Sequence, residues 1–292
     1  MRHLFKRFSN LWSVHSSPPQ TKPDSDKRPD ASPPKRRPKD ALRKKFLESY
    51  TLENGRGLEI GPFCRPVFRR ESYPNMLYAD VKSEDFLKRL VRKGDIYREE
   101  DIVPLDYVLG NQHLDAVVAH ETLDFVFCAH VLEHVLEHVP DMISSLKGIE
   151  RVLKPGGLFL CFYPDRRFTY DIDRPTTTLL QLETRHQLRI TRPASDTVLE
   201  HFTFNRKVDA GKVWANHNDA VGERRFTAEQ AQEFALQATR SYVDVHCNVF
   251  SDSEFSDMIE TLGAAGHISL RVDRMVPTRA PFNEFHVALR KP

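Results

Sequence analysis

The sequence predicts an α/β protein: a doubly wound, mostly parallel sheet with a C-terminal antiparallel hairpin and an inserted cap region. Three observations predict it. Short apolar runs alternate with amphipathic stretches from residue 41 to residue 165, which is the rhythm of parallel βα units. One run, Leu123 to Ala129, is apolar almost throughout, as a parallel strand covered on both faces requires. The chain finishes with two strand-like segments around a Pro-bearing loop, Ile268 to Val276 and Glu284 to Leu289, which read as an antiparallel hairpin.

In chain order, Leu42, Phe46, Leu47 and Tyr50 share one side of a predicted helix over Ala41 to Tyr50. A strand follows at Gly57 to Ile60, turned by Gly61-Pro62, and a second at Met76 to Ala79 is closed by Asp80. Ser83 is placed to cap a helix presenting Phe86, Leu87, Leu90 and Val91, with Gly94 as its stop. A third strand is expected within Ile102 to Leu109, and the fourth is Leu123 to Ala129. Pro140 suits the first position of a helix through Ile143, Leu146, Ile149 and Val152, ended by Lys154-Pro155-Gly156-Gly157. The fifth strand is Leu158 to Tyr163.

Residues 166 to 226 show no clear period and are rich in Arg, Thr, Asp and aromatic side chains. Order resumes at two capping-box patterns, Thr227-x-x-Gln230 and Ser251-x-x-Glu254, each opening a helix. Between them Val243, Val245, Cys247 and Val249 alternate like a strand. We therefore expect residues 1–40 to form a tail and residues 41–292 one domain, in which 166–250 is a cap over the carboxyl ends of the strands.

Hydrophobic residues make up 40% and charged residues 29% of the 292-residue chain, a composition that belongs to soluble globular proteins rather than to helical membrane proteins. Cys64, Cys128, Cys161 and Cys247 form no C-x-x-C pair, and read as reduced cysteines of a cytosolic protein. Residues 1–40 hold ten Lys/Arg against four Asp, and the remainder 33 against 37. The body is therefore acidic, which argues against nucleic acid as the substrate. The stretch 16–40 is dense in Pro, Ser, Asp and Lys/Arg and reads as a disordered linker. Ahead of it Leu4, Phe5, Phe8, Leu11 and Trp12 recur at helical spacing among Arg2, Lys6 and Arg7, a pattern suited to peripheral contact with an anionic membrane surface, here the inner face.

The segments Gly57-Leu58-Glu59-Ile60-Gly61-Pro62, Tyr78-Ala79-Asp80, Leu123 to His134, and Arg151-Val152-Leu153-Lys154-Pro155-Gly156-Gly157 together resemble the class I, Rossmann-like S-adenosylmethionine-dependent methyltransferases. The resemblance implies S-adenosylmethionine as cofactor, with Glu59, Gly61, Asp80, Asn111 and His130 at the strand ends that hold it. The residues agree. A glycine ending the first strand admits the ligand against the backbone, and an acid 19 residues later can accept hydrogen bonds from ribose hydroxyls. The family turn has two further glycines, where this chain has Phe63 and Arg65. Their loss weighs against a pyrophosphate-bearing dinucleotide more than against a methyl donor. It also admits another reading, a catalytically degenerate module that regulates or scaffolds a glycan-assembly partner.

The stretch Tyr163-Pro164-Asp165-Arg166-Arg167-Phe168-Thr169-Tyr170-Asp171-x-x-Arg174-Pro175-x-Thr177 resembles a bacterial methyltransferase-domain subgroup associated with cell-surface glycan synthesis. A small-molecule or glycan hydroxyl is the expected acceptor. Removing its proton needs a general base, for which His201, His130 and Asp165 are the candidates; a histidine titrates near neutrality unaided, and His201 lies in the cap that must carry the acceptor. His130-x-x-Glu133-His134 also matches the H-x-x-E-H pattern of inverted zinc peptidases, extended by His138. With His130 at a strand end and no third ligand evident in the sequence, no metal is expected, and Glu133-His134 is read as serving a helix start.

Overall fold

The computed structural model describes residues 38–91, 98–134 and 140–292. The chain forms two units, Met1–Ser49 and Tyr50–Pro292. In the first, helix α1 (Pro38–Leu47) carries Asp40 in its first turn and Lys44 and Lys45 in its last, the arrangement that complements the helix dipole. It starts three residues before the predicted Ala41 because a proline is favoured at the first helical position. The expected membrane-binding helix, most of the linker, Gly94 and His138 lie outside the described residues. No helix among the described residues is long and apolar enough to cross a membrane.

The second unit is built on seven strands: β1 (Gly57–Ile60), β2 (Met76–Asp80), β3 (Tyr107–Val108), β4 (Leu123–Ala129), β5 (Leu153–Pro164), β8 (Arg271–Val276) and β9 (Glu284–Arg290), in the spatial order β3-β2-β1-β4-β5-β9-β8. β1 to β5 run parallel, while β9 lies antiparallel to both β5 and β8. The doubly wound sheet with its terminal hairpin is thus as expected. The reversal of strand order beside β1 makes the carboxyl edge of β1 and β4 the place where such sheets bind ligands.

One sheet face buries Leu58, Ile60, Val126, Cys128, Phe159, Cys161 and Tyr163 against helices α3 (Met142–Val152) and α8 (Asp252–Ala264). The other carries an aromatic rail, Phe68, Phe125, Phe127 and Phe162, with neighbouring ring centroids 5.0–5.1 Å apart. Gly57 is required where this rail crosses β1, since a Cβ there would stand 2.1 Å from the Phe125 ring. Truncating one of these rings to alanine removes about 3–5 kcal/mol.

Further boundaries differ from expectation, among them β8, which begins at Arg271 rather than Ile268. β3 shrinks to Tyr107–Val108 because Pro104 has no amide and the Leu105 amide donates to the Glu84 carboxylate at 2.8 Å. Helix α2 (Glu84–Leu90) does begin at the Ser83 cap, but ends at Leu90. Helix α3 starts at Met142 rather than Pro140, because Asp141 is its cap and accepts from the Ser144 amide at 2.9 Å. β5 begins at Leu153, which pairs with Leu123 before the glycines.

Residues 166–250 are more regular than their sequence suggests. They form helices α4 (Leu179–Gln187), α5 (Ser195–Phe204), α6 (Ala210–Trp214) and α7 (Ala228–Ala238), and a two-stranded ribbon of β6 (Arg206–Val208) with β7 (Val221–Arg224). Val198, Phe202, Ala231, Ala238, Val243 and Val245 make a small core of their own. The alternating segment 243–249 is not a strand. His246 and Asn248 are buried as well as the apolar positions. Its amides at Cys247 and Asn248 donate to the Glu133 carbonyl at 2.8 and 3.1 Å, so it is anchored to the loop after β4 instead of to a ladder.

Candidate active site

The topology brings five predicted positions to one edge, because Asn111, Asp80, Gly61, His130 and Asp165 follow the adjacent strands β3, β2, β1, β4 and β5. Gly61 donates its amide to the Ala79 carbonyl at 2.9 Å, which sets it beside Asp80. It has φ +70, and a Cβ would approach Val131 to 2.9 Å. Phe63, where the family turn has a glycine, takes φ +47 itself. The turn therefore keeps a left-handed residue at that position despite the missing glycine.

Glu59 lies one step inside this edge. Its buried carboxylate accepts from the amides of Val67 and Phe68 at 2.9–3.0 Å, so it shapes the loop after β1. Asp80 is different. Its carboxylate is 8% exposed and accepts from the Lys82 amide at 3.0 Å, with no cation paired to it among the described ion pairs. Burial pushes its pKa up to about 6, only partly opposed by the amides of Lys82 and Val81. Asn111 is exposed in the turn that follows, a turn tied to Asp80 by the Leu109 amide on the Asp80 carbonyl at 2.8 Å.

His130 ends β4 with φ +56. Its amide donates to the Phe162 carbonyl at 2.9 Å, and its Nε2 lies 2.6 Å from Glu284 Oε2. Glu284 is buried, with His286 Nε2 3.2 Å from its other oxygen. With a carboxylate at Nε2, that nitrogen carries the proton and Nδ1 is the accepting atom. Glu284 and His286 were not singled out from the sequence. The signal was two polar residues two apart, hence on one face, in a strand otherwise fit for the core.

Asp165 is fully buried and heavily engaged. Its oxygens accept from the Arg167 amide and guanidinium at 2.6–3.2 Å and from the Thr278 hydroxyl at 2.7 Å. It ties the end of β5 to the loop after β8, a poor setting for a proton acceptor.

His201, on α5, is 3% exposed, and its Nδ1 makes no hydrogen bond. Burial, then the charge of Arg174, hold its pKa well below the usual histidine value. The expectation that it titrates near neutrality is thereby corrected, because desolvation penalises the imidazolium.

Around His201 stands a network that sequence reasoning assigned only in pieces. His246 Nδ1 is 2.6 Å from Asp171 Oδ2, and Tyr170 Oη meets His246 Nε2. Arg174 binds Asp171 at 2.9 Å, Glu200 at 2.9–3.0 Å and the His246 carbonyl at 2.9 Å. Burial alone would raise the Asp171 pKa, but His246 and Arg174 hold it far below the carboxylate range. Glu133 is 1% exposed in the turn Leu132–His134. The residues that would continue the expected helix start, 135–139, lie outside the described residues.

Residues 74–161 match the model of a methyltransferase domain. Over 115 residues the chain is 31% identical to a ubiquinone biosynthesis O-methyltransferase of Aliivibrio fischeri, covering 37% of this chain and 46% of that protein. The chain thus spans about half the length of the curated relatives it matches. Similar solved structures include a SAM-dependent methyltransferase from Methanosarcina mazei (14% identity, 84% of this chain and 96% of that one, TM-score 0.40). Another is a SAM-dependent methyltransferase from Aquifex aeolicus (14% identity, 85% and 89%, TM-score 0.42). Likeness at those scores bears on neither reaction nor substrate.

Proposed function

We propose that this chain transfers the methyl group of S-adenosylmethionine to a hydroxyl oxygen, with a glycan or similarly hydroxylated molecule as acceptor. The observation that carries the reading is Asp80, a buried carboxylate at the carboxyl end of β2, next to Gly61 and in no ion pair among the described residues. A ligand presenting two hydroxyl donors satisfies such a group, and the ribose of the donor presents them. The methyltransferase-domain match spans β2, β3 and β4 and most of β5, four of the five strands whose ends form the edge. The 31% identity to an O-methyltransferase supports oxygen as the accepting atom.

When bound, the donor supplies an electrophilic methyl carbon on a sulfonium, so the protein's task is alignment and removal of one proton. Gly61 lets the donor approach the backbone, and Asp80 fixes its ribose. His130 Nδ1 takes the acceptor's proton, while Glu284 at Nε2 steadies the imidazole and the imidazolium it becomes. His201 is a positioning residue, because burial and Arg174 oppose its protonation. Tyr170, Arg174 and Trp214 lie in the cap. Arg174 is already saturated by Asp171 and Glu200, which leaves the aromatic side chains as better partners for a sugar ring.

The test has two stages. Calorimetry with S-adenosylhomocysteine should give one site per chain, and label from S-adenosylmethionine should enter a polysaccharide or lipid-linked fraction of cell envelopes. His130→Gln should lower turnover by roughly 10²-fold or more with product affinity within about threefold, the pattern of a lost acid–base group. A folded chain that binds no S-adenosylhomocysteine would sink the reading. Donor binding without label in any acceptor fraction would favour the regulatory module.

A further inference from the structure

The loop after β4 and the segment after α7 bring together three donor atoms that the methyl-transfer reading does not use. Glu133, His134 and His246 each offer one, and the three lie within 4.8 Å of one another. Glu133 Oε1 is 3.9 Å from Nε2 of both His134 and His246. The two rings stand edge to face with centroids 4.7 Å apart. The juxtaposition is enforced by the backbone, because the amides of Cys247 and Asn248 both donate to the Glu133 carbonyl.

Two further observations point to a cation. Glu133 is 1% exposed, and its Oε2 makes no hydrogen bond. A buried carboxylate in that state is costly unless a positive charge meets it. The imidazoles nearest to it, His130 Nδ1 at 3.7 Å and the two Nε2 atoms at 3.9 Å, stand beyond hydrogen-bond reach. Secondly, each histidine of the trio has a carboxylate at its other nitrogen. His134 Nδ1 is 2.9 Å from Asp244, which is itself held by the Tyr242 hydroxyl at 3.0 Å, and His246 Nδ1 is 2.6 Å from Asp171. A carboxylate hydrogen-bonded behind a histidine selects the tautomer with its lone pair on Nε2 and raises its basicity. Asp171 does this for His246, whose Nε2 accepts from the Tyr170 hydroxyl that a metal would displace, while Asp244 stands near His134 Nδ1 outside hydrogen-bond geometry.

We propose that Glu133, His134 and His246 bind a divalent transition-metal ion, with zinc the best match to two imidazoles and one carboxylate. Donors bound to zinc at about 2.0–2.2 Å stand roughly 3.3 Å apart, so the two carboxylate–imidazole pairs at 3.9 Å need to draw in by about half an ångström and the widest separation, within 4.8 Å, by up to about 1.5 Å. The fourth position falls toward Tyr170, whose hydroxyl already meets His246 Nε2, or to a water. His246 is the third ligand that sequence spacing did not reveal, since 112 residues separate it from His134. The site stands independently of the donor pocket.

The experiment uses the full chain, stripped with a chelator and returned to Zn²⁺ alone. Elemental analysis should then find one zinc per chain, and Co²⁺ in its place should show the visible bands of a four- or five-coordinate nitrogen–oxygen site. Glu133→Gln and His246→Gln should each weaken zinc binding by more than tenfold. His186→Gln, a histidine paired with Asp141 elsewhere in the fold, should not. Because removing one member of a buried charged cluster also destabilises the fold, the deciding measurement is on the unaltered chain. A folded protein that retains no zinc and shows no cobalt bands overturns the site and leaves a metal-free ionic cluster. S-adenosylhomocysteine calorimetry on the same samples separates the claims, since zinc bound without donor binding sinks only the methyl-transfer reading.

Discussion

The edge of the sheet and the segment 166–250 both bury carboxylates, yet treat them in opposite ways. Asp80 is in no ion pair among the described residues, and burial raises its pKa to about 6 against the weaker pull of the Lys82 charge. Asp171 is buried more deeply and Asp244 is 13% exposed, but His246 with Arg174 in one case, and His134 in the other, outweigh the burial. Asp171 falls far below the carboxylate range and Asp244 to about 2. The difference separates a group completed by something that binds from groups completed by the fold. An unpaired buried carboxylate marks a site awaiting donors, whereas a paired one marks structure or the support behind a site.

The largest effect should come from breaking the paired side. Arg174→Met leaves Asp171 buried without its guanidinium and should cost about 3–5 kcal/mol in denaturant unfolding. A loss below about 1 kcal/mol would mean that His246 alone sustains Asp171, and would narrow the contrast with Asp80. Next is Asp80→Asn, which should weaken S-adenosylhomocysteine by about 1–3 kcal/mol. The same change should leave the free chain no less stable above pH 6. The sign follows from the raised pKa: the contribution of Asp80 to stability is present below pH 3.8 and lost as pH rises through about 6. Since hydroxyl donors favour the carboxylate form, affinity should fall about tenfold per unit as pH drops below about 6, and the asparagine variant should lack that dependence. Equal pH profiles would remove Asp80 from the donor site.

A smaller effect is expected at Gly61→Ala, where φ +70 and the 2.9 Å approach to Val131 should together cost about 1–2 kcal/mol, seen as a lower unfolding midpoint. The smallest is an acid limb of opposite sign to that of Asp80. Asp244 has a lowered pKa, so its stabilisation is present above about pH 3.8 and should be lost as pH falls toward about 2. Asp244→Asn should flatten that limb by about 1–2 kcal/mol, measured as unfolding free energy against pH.

The same contrast explains what could be read in the chain. The sheet edge is local grammar. Gly57 to Ile60 and Leu123 to Ala129 are strands at the predicted residues, and Ser83, Thr227 and Ser251 cap the helices expected of them, because hydrophobic period, caps and turns act over a few residues. Strand ends in a parallel sheet share an edge, so Gly61, Asp80, Asn111, His130 and Asp165 could be grouped without coordinates. What their side chains do there could not. Asp165 is spent on Arg167 and Thr278, and Glu59 on the amides of Val67 and Phe68.

The network around His201 and His246 is wholly tertiary. Glu133, Tyr170, Asp171, His201, Asp244 and His246 come from segments up to 113 residues apart, and no local period marks them. A histidine's charge state is set by what surrounds it. From the sequence His201 is an ordinary neutral-range base, and only the burial beside Arg174 takes that role away. The sequence by itself determined the strands, their caps and the ligand-binding edge, since those follow from short-range sterics and hydrophobic alternation. Only the tertiary structure decided which buried charges are paired, because desolvation and Coulomb attraction depend on distances in space that chain order does not record.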